Sequence, residues 1–218
     1  MIRILILIGG HLCNAPRPQK EAETLAHAGY DVTVSGCWFD PELISRDRLL
    51  IANKPYKFAP ILDFQPAHRL TNINIRLQSL LARSIYRRLG IFSPSLLGYG
   101  ASAMLKVARQ TKADLTIVHS EGGLWVGNKL LDEGFQVGVD FEDWFSEDLL
   151  PEARIERPIE QIKQLEQRLI QTCKYCLTTS HTMAEAMATA YHALMHHYVD
   201  KSKPLYFRYG WKNVLKSS

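Results

Sequence analysis

Nine consecutive residues, Asp140 to Asp148, hold five acids with Trp144 and Phe145 among them. Carboxylates hydrogen-bond sugar hydroxyls and aromatic rings pack on sugar faces, so Glu142, Asp143 and Trp144 are candidate binding residues. The same composition also suits two other roles, capping of a helix N-terminus and a divalent-metal site. A second candidate is His119-Ser120-Glu121-Gly122-Gly123. There His119 is the candidate catalytic residue, able to accept or donate a proton, and Glu121 is placed to bind a hydroxyl. The plainer reading makes Ser120 and Glu121 a helix cap. A third candidate is Gly9-Gly10-His11 through Arg17. Two glycines allow close approach of a ligand to the backbone, the helix start that follows suits an anion, and His11 and Arg17 share the loop. A tight turn is the alternative. In Thr178 to Ala184, Ser180 reads as an N-cap and His181 as a residue facing solvent or the cleft.

These loops are set by what precedes them. Ile2–Ile8 is apolar but for Arg3, as a strand covered on both faces should be. A helix is expected over Pro18–Ala28 and a strand over Asp31–Ser35, one βαβ unit. Tyr56–Leu62 reads as a third strand, and Pro41–Ala52 as helix or loop. Helices follow over Asn74–Leu89 and Leu96–Thr111. Further strands are expected at Asp114–Val118, Phe135–Asp140, Tyr175–Thr179 and Pro204–Tyr209. Helices are expected at Leu124–Glu133, Ile159–Cys173 and Thr182–Tyr191. The alternation predicts an α/β fold, a Rossmann-like parallel sheet of six or seven strands with helices on both faces. In such sheets ligands bind beyond the carboxyl ends of the strands, where all four loops fall.

Composition narrows the function classes. With 26 Lys and Arg against 22 Asp and Glu, the formal charge is +4, which a solvated surface explains without nucleic acid. No Gly-x-Gly-x-x-Gly follows the first strand, and the second strand ends Ser35-Gly36 without an acid. The dinucleotide fingerprint of an oxidoreductase is therefore absent. Cys173 and Cys176 form one isolated pair ahead of an apolar run, which predicts buried, reduced thiols. No secretory signal is expected at the N-terminus and no segment is long enough to span a bilayer, so a cytoplasmic location is expected. The segment 74–89 carries Arg76, Arg83, Arg87 and Arg88, no acid, and Leu77, Leu80, Leu81 and Ile85 at helical spacing. Either its leucines enter the core and its arginines face water, or it touches an anionic membrane or an acidic partner.

Taken in order, the segments resemble the N-terminal domain of family 4 glycosyltransferases with the GT-B fold. The resemblance rests on the opening strand, His11-Leu12-Cys13 with Arg17, Lys20-Glu21-Ala22, Leu25, Ala28-Gly29-Tyr30 and Val32-Thr33-Val34. It continues through Asp114 to His119, Asp140 to Glu147, Glu166, Leu169-Ile170, Tyr175 to Ser180, Met183-Ala184 and Tyr191. Glu142 stands where many members carry His. The resemblance implies one domain over 1–195, with 196–218 as a tail or the start of an interdomain connection. It implies the acceptor-binding half of an enzyme that moves a sugar from a nucleotide-sugar donor to a hydroxyl with retention, usually without a metal, in glycan biosynthesis. The acceptor would be a sugar or glycan, in some members lipid-linked, and no cofactor is expected. In the family a second Rossmann-like domain binds the donor. The 218 residues hold no counterpart of it, so a truncated half that is inactive alone, or one that pairs with a donor-binding chain, is expected. A non-catalytic glycan- or partner-binding subunit is the alternative.

Overall fold

In a computed structural model, residues 1–65, 69–155, 157–173 and 175–193 are described. The strands are β1 (Arg3–Leu7), β2 (Asp31–Trp38), β3 (Lys57–Asp63), β4 (Leu115–Val118), β5 (Val137–Phe141) and β6 (Tyr175–Thr178). The helices are α1 (Pro16–His27), α2 (Pro41–Ile51), α3 (Arg69–Leu89), α4 (Ala101–Thr111), α5 (Ser120–Asp132), α6 (Pro151–Arg154), α7 (Ile159–Thr172) and α8 (His181–Ala190). All six strands pair in parallel in the order β3-β2-β1-β4-β5-β6. The α/β class with helices on both faces is as the alternation of runs predicts. The expected strand Pro204–Tyr209 and the tail 196–218 lie outside the described residues.

Each strand of the centre serves two cores because successive side chains alternate in direction. Ile4, Ile6 and Ile8 pack with Val32, Val34, Ile117 and the Ala22 and Leu25 face of α1. Leu5 and Leu7 point the other way, into a core with Met104 of α4, Leu124 and Leu130 of α5, Leu169 of α7 and Met187 of α8. Among the described residues no helix is long and apolar enough to cross a membrane.

Several boundaries differ from expectation for local reasons. The second strand runs on to Trp38, because Gly36 leaves room for the Gly10 carbonyl. A Cβ there would stand 2.4 Å from that oxygen, and Cys37 N–H donates to it at 3.2 Å. Asp40 follows and accepts from the amides of Glu42 and Leu43, starting α2 as its N-cap. The segment Pro41–Ala52, ambiguous from sequence, is thereby a helix. Leu96–Thr111 is broken: a 3-10 turn, Pro94–Leu96, precedes α4. Helix α5 begins at Ser120 rather than Leu124. Ser180 caps α8 through a bond from Met183 N–H, as expected, and His181 pairs with Glu185 on the exposed side.

Helix α3 departs most. Its inward side carries Asn72, Ser79 and Ala82, while Leu77, Leu80 and Leu81 stand 50%, 60% and 61% exposed. The leucines do not enter the core.

Candidate functional site

The strand order reverses direction between β1 and β4, and this is the switch point at which open α/β sheets take ligands. The loops after β1 and β4 touch there. A Cβ on Gly9 would stand 3.0 Å from the Ser120 side chain, and His119 N–H donates to Leu7 C=O at 2.9 Å. Ser120 holds φ +68°, a left-handed conformation that costs a non-glycine residue on the order of 1 kcal/mol. The chain thus turns sharply from strand to helix beside Gly9.

Under this turn lies a cluster of charges from four elements. His119, at the end of β4, is 1% exposed. Its Nε2 lies 3.0 Å from Glu21 Oε2 on α1, and its Nδ1 lies 3.3 Å from Glu142 Oε1 just beyond β5. Arg17, one turn before Glu21 on α1, grips both oxygens of Asp140 on β5. Tyr175 of β6 donates to the other oxygen of Glu21. Burial would lower the His119 pKa. The hydrogen bonds to Glu142 and Glu21, with the charges of Glu21 and Asp140, outweigh it and lift the pKa to about 10. His119 is therefore an imidazolium near neutral pH, a hydrogen-bond donor on both nitrogens. Burial would raise the Glu142 carboxyl, but the bond and charge of His119, with Arg17 nearby, hold it below its ordinary value. Arg17 and Glu142 are the partly open members of the cluster, with side chains 25% and 31% exposed.

His11 is buried and belongs to a different network. Its Nδ1 donates to Asp47 of α2 at 2.9 Å, and its Nε2 accepts from the amides of Phe39 and Asp40. These roles fix the neutral Nδ1–H tautomer. Asp47, fully buried, also accepts from Cys13 N–H and Trp38 Nε1. His11 thus ties the glycine loop to β2 and α2. The helix start behind that loop is poorly equipped for an anion. Pro16 and Pro18 lack N–H groups, and a 3-10 turn, Leu12–Asn14, separates α1 from Gly10.

The acidic stretch divides its labour. Asp140 and Glu142 join the cluster. Asp143 is exposed. Trp144 donates through Nε1 to Tyr191 OH at 3.0 Å, packing edge-on against that ring. Ser146 and Tyr191 both hydrogen-bond the fully buried Glu166 of α7, which clips the loop to the scaffold. Glu147 pairs with Arg154 and Lys163. Glu121 pairs with Arg157 and does not reach His119. Among the described residues, no group of three or more His, Cys, Asp or Glu is arranged to hold a metal ion.

Of the residues singled out in the sequence, the structure brings together His119, Glu142 and Arg17, with Gly9 against Ser120 next to His119 and Gly10 turned toward Phe39 and Cys37. Glu21, Asp47 and Tyr175 were missed. Arg17 and Glu21 stand four apart on α1, on one face beside the buried Ala22 and Leu25. Two opposite charges at that spacing, next to an apolar face, were the signal available.

No protein-family model matches the chain, and no curated protein matches it. Solved structures do. A sucrose-phosphate synthase from Thermosynechococcus elongatus superposes with a TM-score of 0.53 at 14% identity, over 88% of this chain and 46% of that one. A protein described as a UDP-N-acetylglucosamine 2-epimerase from Listeria monocytogenes gives a TM-score of 0.51 at 12% identity, over 87% and 42%. The chain spans less than half the length of either. It has the Rossmann-like α/β architecture of one half of a GT-B fold.

Proposed function

We propose that this chain is the acceptor-binding half of a family 4-type GT-B glycosyltransferase, acting with retention on a nucleotide-sugar donor that a second Rossmann-like domain holds. The observation that carries this reading is the charge cluster at the switch point, in which Arg17 and Glu142 are partly open. A carboxylate kept ionised by a buried imidazolium is a strong hydrogen-bond acceptor and a poor base. In this reading Glu142 receives the acceptor hydroxyl and orients it, and the Arg17 guanidinium donates to a neighbouring acceptor oxygen. His119 acts behind them as a positioning residue, fixing the Glu142 rotamer and charge from a site of its own that solvent does not reach. Gly9 is closed off by Ser120, and the open glycine of the loop is Gly10, where a Cβ would meet only the Phe39 ring at 3.9 Å, so a sugar ring approaches the backbone there. Closure against the donor half then excludes water. The reading calls for no metal and no cofactor, and the four free cysteines accord with a cytoplasmic setting.

A second reading, a glycan- or partner-binding subunit without catalysis of its own, draws support from the histidines. Both nitrogens of His11 and of His119 are committed to internal hydrogen bonds. An assay of labelled-sugar transfer from UDP- and GDP-sugars separates the two. The full chain is mixed with fractions from its own source organism, and any co-purifying donor-domain chain is retained. Transfer that is lost in Glu142→Gln supports the enzyme half. Glycan binding with no transfer in any fraction supports the binding subunit.

A further inference from the structure

Helix α3 is amphipathic in the wrong direction for a core helix, and this carries an inference independent of sugar transfer. Asn72, Ser79 and Ala82 form its buried stripe. Asn72 donates to Gln65 C=O, Ser79 Oγ to Ser95 C=O, and Tyr86 OH to Arg157 C=O. The helix is thus anchored by its polar and small residues. At roughly 100° per residue, the apolar stripe of Ile73, Leu77, Leu80, Leu81 and Ile85 is centred on the opposite side, and every one of these is exposed. Leu89 and Ile91 extend it. Arg76, Arg83 and Arg87 lie along one flank of the stripe and Arg88 falls within it. The 21 residues contain no Asp or Glu.

An exposed apolar ridge of this length is unusual on a protein that meets only water. We propose that α3 lies flat in the headgroup region of an anionic bilayer, leucines inserted and arginines at the phosphates. Three features favour a lipid surface over a protein. The ridge runs along one side of the helix from Ile73 to Leu89, roughly 24 Å at 1.5 Å per residue. Among the described residues its main packing partner is the 3-10 turn Pro94–Leu96, on the side away from the ridge. Arginine stems beside the stripe can cover apolar surface while their heads reach phosphate oxygens. The hollow bounded by Phe39, Phe64, Arg76, Leu80 and Tyr99 opens beside the same ridge, and Phe39 and Tyr99 are themselves exposed. An aromatic edge of this kind suits the interface level of a bilayer.

The test is co-sedimentation of the full chain with phosphatidylcholine vesicles and with phosphatidylcholine–phosphatidylglycerol vesicles, across a salt series. The variants Leu77→Ser/Leu81→Ser and Arg83→Glu/Arg88→Glu change exposed side chains, and circular dichroism checks that each folds. Binding is expected with the anionic vesicles at low salt and not with phosphatidylcholine alone. Each arginine replaced should weaken it about fivefold or more. The double serine variant should lose about tenfold or more, because the inserted leucines carry the apolar part. No binding to anionic vesicles at low salt overturns the proposal, as does equal binding to both vesicle types. Full binding by Leu77→Ser/Leu81→Ser overturns insertion. A dimer in solution that this variant converts to monomer would show that a second copy covers the ridge, and also overturns it.

Discussion

Glu21 on α1 and His119 at the end of β4 are 98 residues apart in sequence and meet at 3.0 Å, Oε2 to Nε2. That contact joins the first crossover helix to the strand on the far side of the switch point. It also fills the second nitrogen of a histidine whose first nitrogen serves Glu142.

Removing that carboxylate should leave a buried imidazolium short of one partner. Glu21→Gln is expected to lower the His119 pKa from about 10. Glu21→Ala should destabilise the fold by about 3 kcal/mol, as breaking a buried pair does. The His119 Cε1 proton resonance followed against pH measures the first effect, and urea unfolding the second. An unchanged titration in Glu21→Gln would mean that Glu21 does not help to hold the proton on the ring.

Stability should depend on alkaline pH through the same residue. The folded pKa of His119 is raised above its ordinary 6.5, to about 10. Its contribution is then complete below 6.5 and is lost as pH rises through about 10. Glu142 works the other way: its lowered pKa makes its contribution complete above 4.5, to be lost as pH falls through the folded value. Urea midpoints measured across this range should therefore fall toward both ends. His119→Asn should flatten the alkaline side, and a slope that survives the substitution would assign it to another group.

Backbone clearance at the switch point should be intolerant of a methyl group. Gly36→Ala would place Cβ 2.4 Å from Gly10 O and 2.7 Å from Ile8 Cγ1. A loss of about 1–3 kcal/mol is expected. Gly10→Ala meets only the Phe39 ring at 3.9 Å and should be nearly neutral. Thermal melts of the two variants give the comparison, and equal melting temperatures would refute the packing described.

Asp47 should matter more to folding than to any ligand. It accepts from His11, Trp38 and the Cys13 amide with no solvent exposure. Asp47→Ala leaves three donors unmatched, and a loss of about 3 kcal/mol or more is expected. Chemical unfolding measures it, and a loss under about 1 kcal/mol would contradict the network.

How far the sequence reaches can be read element by element. The apolar run at Ile4–Ile8 and the alternation that follows make the parallel sheet legible, because burial on both faces leaves a compositional trace. The sharp turn at Ser120 was not legible. Gly122 and Gly123 read as loop, whereas they lie inside α5, where Gly123 sits close to Val118. His119 was legible as a polar residue at a strand end. Its confinement between two carboxylates was not, since one comes from a helix 98 positions earlier. His11 shares a loop with Arg17 in sequence, yet Asp47 draws it into the scaffold. In α3 the helical period was plain, but period alone cannot say which of two faces meets the core. The hydrogen bonds of Asn72 and Ser79 decide that.

The acceptor-side assignment is tested most directly by mapping ¹⁵N amide shifts of the full chain during titration with two ligand sets. One set is a panel of free mono- and disaccharides, and the other is UDP- and GDP-sugars. The expected result is that a saccharide perturbs Gly10, Arg17 and Glu142, that Arg17→Ala abolishes the response, and that nucleotide sugars leave these amides unmoved. A UDP- or GDP-sugar that binds at the same amides with a Kd of about 1 μM or tighter, with no response to any saccharide, would contradict it and place the donor in this half.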